Sequence, residues 1–83
     1  MGEVICVYKV MPDSPESLEP VKKALEEMKP ARLEEEPLAF GIVALKVTII
    51  IPDGSGVLDE TEEKLSKIPN VSSVENILTT RGL

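Results

Sequence analysis

Two apolar stripes with the same spacing constrain this chain more than any other feature. Leu18, Val21, Leu25 and Met28 recur at intervals of three, four and three; Leu58, Thr61, Leu65 and Ile68 repeat those intervals. Each set lines one face of a helix. Each helix lies between two runs of strand character, so the order is strand, helix, strand, strand, helix, strand. Two split βαβ halves of this kind specify a ferredoxin-like sandwich, an α+β fold with a four-stranded antiparallel sheet and two helices on one face. Right-handed crossovers place the first and third strands in the middle and the second and fourth at the edges.

The strand compositions fit that order. Residues 4–10 are apolar on both faces as far as Lys9, which suits a central strand. Residues 31–38 carry Glu34, Glu35, Glu36 and Pro37, which suit an edge. Residues 41–51 form the longest strand. Its core face holds Val43, Leu45, Val47, Ile49 and Ile51; its open face holds Ile42, Ala44, Lys46, Thr48 and Ile50. Residues 71–79 form the last strand, and 81–83 a short tail. Ser14 or Ser17 is the expected cap of the first helix, Pro20 falls in its first turn, and Pro30 ends it. Residues 52–56 connect the third strand to the second helix. Eighty-three residues make one domain, 1–83.

Composition removes several functions. Tyr8 and Phe40 are the only aromatic residues, so no stacked platform for single-stranded nucleic acid exists. A net charge of −6 argues further against nucleic acid as a direct partner. There is no histidine, which removes the usual acid–base residue and most zinc sites. Cys6, the single cysteine, lies in an apolar run and reads as a core residue. No apolar run approaches the length of a membrane span. The expectation is a cytoplasmic, monomeric protein without cofactor, metal or catalytic residues.

Little remains to carry chemistry. On a strand only Glu34 and Glu36 converge, and a solvated edge explains them better than a metal site. The glycine-rich stretch 53–56 lacks the lysine and spacing of a phosphate loop. Lys9 and Lys46 fall on the open face of adjacent central strands, where charge keeps the face wet. Tyr8 reads as core. Phe40 stands apart: it lies between Pro37 and Gly41, just before the strongest strand. It is either a lid folded onto the core or the anchor of a protein interface. On residues alone the chain is a small α+β binding module.

With these residues in view, the chain resembles the archaeal elongation factor 1-beta family. The likeness begins with Met1-Gly2-Glu3-Val4 and Val7-Tyr8-Lys9-Val10-Met11-Pro12. Its most specific segment is Glu35-Glu36-Pro37-Leu38-Ala39-Phe40-Gly41, followed by Leu45 and Val47. Glu62-Glu63, Leu65-Ser66-Lys67-Ile68 and the stretch from Val71 to Val74-Glu75 extend it over the whole chain.

The resemblance implies a nucleotide exchange factor acting on a GTPase, elongation factor 1-alpha. It implies that Phe40, flanked by Pro37 and Gly41, packs into that partner. It also implies that a basic residue near the C-terminus, here Arg81, reaches toward the partner's magnesium and phosphate loop. GDP is then exchanged for GTP by destabilising the nucleotide site, with no bond broken. The chain departs from the family in keeping one arginine at its end, and in Leu58, where a capping Thr is frequent and Ser55 is the substitute. The alternative is a small-molecule-sensing ferredoxin-like module acting as an edge-paired dimer, which requires a polar pocket at the dimer seam.

Overall fold

A computed structural model describes residues 2–52 and 56–82. The chain runs β1 (Glu3–Pro12), a 3-10 turn (Pro15–Ser17), α1 (Leu18–Glu27), β2 (Arg32–Pro37), a tight turn (Ala39–Gly41), β3 (Val43–Pro52), α2 (Val57–Ser66) and β4 (Val71–Gly82). The sheet order is β2-β3-β1-β4, every pair antiparallel. This is the expected ferredoxin-like arrangement, with the two apolar strands in the centre.

The register sets the core. Cys6 lies opposite Ile49, Tyr8 opposite Val47 and Val10 opposite Leu45. All six are buried, and Val21 and Leu25 of α1 and Leu65 of α2 close over them. Leu18, Met28, Leu58 and Ile68, the outer members of the two stripes, pack at the margin. A slip of one residue in either central strand would turn this apolar set to the open face, so burial itself enforces the pairing. The open face is not uniformly wet, however: Ala44 and Val7 are buried on it.

Four local expectations are corrected. Arg81 is not in a tail. β4 continues to Gly82, because β1 offers unpaired backbone as far back as Glu3, and Arg81 pairs with Val4. Neither Ser14 nor Ser17 caps a helix through its side chain. Instead the Ser17 hydroxyl donates to Asp13 Oδ1 at 2.6 Å and lies 3.0 Å from that of Ser14, a local network that bends the chain out of β1. Helix α1 ends before Pro30: it stops at Glu27, and Lys29, with φ of 53°, turns the chain toward β2. β3 starts at Val43 rather than residue 41, since Ala39–Gly41 form a turn of their own. Gly56, with φ of 80°, precedes α2; the proposed Ser55 cap lies outside the described residues.

Candidate functional site

The turn between β2 and β3 concentrates the unusual geometry. Pro37 pairs with Val43 at the end of the hairpin. The Leu38 N–H donates to the Ile42 carbonyl at 2.7 Å, and the Ile42 N–H to that of Ala39 at 3.3 Å. These bonds close a five-residue loop and push Phe40 out at its tip. Phe40 is 97% exposed. It also sits at φ 63°, ψ 31°, the left-handed region that a bulky residue rarely enters.

Gly41 follows at φ 74°, so two successive residues turn the same way. A left-handed residue costs about 1 kcal/mol when it has a side chain. An apolar ring exposed to water on a strained backbone stabilises nothing in the free protein. Such outliers cluster where a surface is held ready for a ligand. The lid reading of Phe40 is therefore excluded: no core contact accounts for the ring.

Beside this turn lies a cleft of about 380 Å³, bordered by Met11, Pro12, Pro15, Leu18, Ile42 and Val43. The sequence alone did not bring these groups together. Pro12 and Pro15 read as a break after the first strand, 28 and 25 residues before Phe40. Only the pairing of Val10 with Leu45 carries the end of β1 alongside the start of β3.

Arg81 lies elsewhere. It stands opposite Val4, which stands opposite Ile51, at the far end of the sheet. The strand rise separates Ile51 from Val43 by about 26 Å. Arg81 is exposed and borders a shallow hollow with Pro52, Leu58 and Thr80. The structure thus groups Pro37, Phe40 and Gly41 and leaves Arg81 apart from them.

Several other ionisable groups make contacts within the fold. The Tyr8 hydroxyl donates to Glu62 Oε2 of α2 at 3.3 Å, tying helix to sheet. Burial raises the Tyr8 phenol far above its ordinary pKa, helped by the neighbouring Cys6 thiol and Glu62 carboxylate. Burial likewise pushes the Cys6 thiol up, which keeps it protonated and unreactive. Glu35 faces α1 and accepts a hydrogen bond from Lys22 Nζ at 3.0 Å, which raises the Lys22 pKa. Glu34 lies 3.9 Å from Arg32. Glu34 and Glu35 thus serve different neighbours, and among the described residues no three His, Cys, Asp or Glu side chains form a metal site.

A ferredoxin-like sandwich with one strained, fully exposed aromatic beside a largely apolar cleft defines a protein-binding module. The comparisons with known proteins specify which one. Residues 5–81 match the model of the EF-1 guanine nucleotide exchange domain. The chain is 47% identical over 89 aligned positions to elongation factor 1-beta of Methanobrevibacter smithii, covering all of this chain and 99% of the relative. It is 43% identical to the factors of that name from Methanothermobacter thermautotrophicus, over 90% of this chain and 91% of the relative, and Methanoculleus marisnigri, over 96% and 98%. The chain belongs to the elongation factor 1 guanine nucleotide exchange family and is a translation elongation exchange factor.

Proposed function

We propose that this protein accelerates exchange of GDP for GTP on the GTPase elongation factor 1-alpha by binding it through Phe40 and loosening its nucleotide and magnesium site. The observation that carries the reading is Phe40 itself, 97% exposed at the tip of a strained turn beside a largely apolar cleft. Exposed on a rigid hairpin, the ring meets a partner with little conformational entropy left to lose. Pro37 and Gly41 set the shape of that hairpin: the first ends strand pairing, the second supplies a positive φ.

The action is a linkage. A protein that binds the nucleotide-free GTPase more tightly than the loaded one weakens nucleotide binding by the same factor. Free GTP in excess over GDP then sets the direction of exchange. Arg81 lies so far from Phe40 that one rigid factor touches two separated patches of its partner. A guanidinium has the permanent charge to compete with a metal for phosphate or carboxylate oxygens.

The test is release of fluorescent GDP from the cognate elongation factor 1-alpha. The expected result is a release rate that rises with factor concentration and saturates. A rate independent of the factor, with the GTPase itself competent to bind nucleotide, would overturn the reading.

A further inference from the structure

Two lysines face each other at the centre of the open sheet. Lys9 of β1 stands opposite Lys46 of β3, and both are half-buried. Glu34 of β2 lies opposite Lys46, and Glu75 of β4 opposite Lys9. The row across all four strands therefore reads negative, positive, positive, negative. None of the ion pairs Lys22–Glu35, Arg32–Glu34 and Lys67–Glu63 uses Lys9 or Lys46. Like charges directly opposite on adjacent strands repel each other. An anionic group lying between them would satisfy both.

The surroundings select the anion. Glu34, Glu36 and Glu75 lie on the same face, and the chain's net charge is −6, so a polyanion is repelled where a single carboxylate fits. Ile50 and Leu78, 46% and 50% exposed, lie on this face too and offer apolar contact to a protein segment. The face is also continuous with the turn that carries Phe40. Ile42 follows Gly41 and alternates onto the side of Ala44 and Lys46, with Lys46 about 13 Å further along. A stable interface buries about 800 Å² on each partner, roughly a seventh of the 5487 Å² surface here, which a three-residue turn cannot supply alone.

We infer that Lys9 and Lys46 form a clamp for a carboxylate on the surface of the GTPase, making the open sheet face the continuation of the Phe40 interface. This rests on the exchange-factor reading above and names a second contact within it.

The test measures binding of nucleotide-free elongation factor 1-alpha to four proteins: the wild type, Phe40→Ala, Lys9→Gln/Lys46→Gln and Lys9→Arg/Lys46→Arg. Thermal denaturation confirms that each is folded. The expected result is a dissociation constant raised about ten-fold in the double glutamine variant, mainly through faster dissociation, with a shallower salt dependence. The double arginine variant should bind like the wild type. Wild-type binding that Phe40→Ala weakens and the glutamine pair does not would overturn the clamp and leave the exchange-factor reading intact. No binding by the wild type would overturn both. Equal loss in the arginine and glutamine pairs would show that the lysine stems, not their charge, matter, and would also overturn the clamp.

Discussion

Phe40 and Arg81 occupy opposite ends of one rigid sheet, in a molecule whose longest extent is 42 Å. Phe40 projects from the β2–β3 turn, and Arg81 is held in β4 against Val4. Substitutions at the two positions should therefore act independently of each other.

Replacing Phe40 with alanine should weaken binding to elongation factor 1-alpha by about 2 kcal/mol, the scale of an aromatic anchor, or roughly thirty-fold. The melting temperature should stay within about 2 °C, because the ring packs against nothing. Leu25→Ala supplies the contrast. That side chain is fully buried under α1, and its loss should cost about 3 kcal/mol of stability. Titration calorimetry and thermal denaturation of the two variants check both halves.

Gly41→Ala isolates the shape of the turn from its chemistry. A Cβ at Gly41 meets nothing within 4 Å, so the cost comes from the backbone alone at φ 74°. About 1 kcal/mol is expected, or roughly 4–8 °C in melting temperature. Partner affinity should fall as well, since the chain relieves the strain by reorienting Phe40. An unchanged melting temperature would show that the turn accepts a side chain freely.

Arg81→Ala should still bind elongation factor 1-alpha but release GDP more slowly. If the guanidinium competes with the metal, the defect should shrink as free magnesium is lowered, because less metal then needs displacing. GDP release measured across a magnesium series decides this. An equal defect at every concentration would assign Arg81 to simple docking.

Alkaline pH should destabilise the fold through Tyr8 and Cys6. Both have pKa values raised by burial, so the native chain keeps its protons to higher pH than the unfolded chain. Unfolded thiols and phenols titrate near about 8.5 and 10. Below those values both states are protonated and nothing is lost. As pH rises past them the unfolded state releases protons first, and stability falls. Melting temperatures from pH 7 to 11 should show a decline that steepens above about 10. Tyr8→Phe should flatten the upper part, while losing about 1 kcal/mol at neutral pH with the bond to Glu62.

Much of this was legible in the sequence, because periodicity is a local property. The repeated stripes, from Leu18 to Met28 and from Leu58 to Ile68, fixed two helices and the side each buries. The alternation of Leu45, Val47 and Ile49 with Lys46 and Thr48 identified the core face of β3. Pro37, Phe40 and Gly41 stood out because an aromatic between two chain-turning residues has no strand to hide in.

What the sequence could not show depends on pairing between distant segments. Arg81 looked like part of a tail because nothing in residues 80–83 demands a strand; it is one because β1 runs back to Glu3 and leaves backbone groups to be satisfied. The cleft beside Phe40 exists because the pairing of Val10 with Leu45 brings Pro12 and Pro15 beside Val43. The same register sets Lys9 directly opposite Lys46, where alternation placed them only on a common face. Local patterns decide which way a side chain points. Only the burial shared by the whole sheet decides what it stands beside.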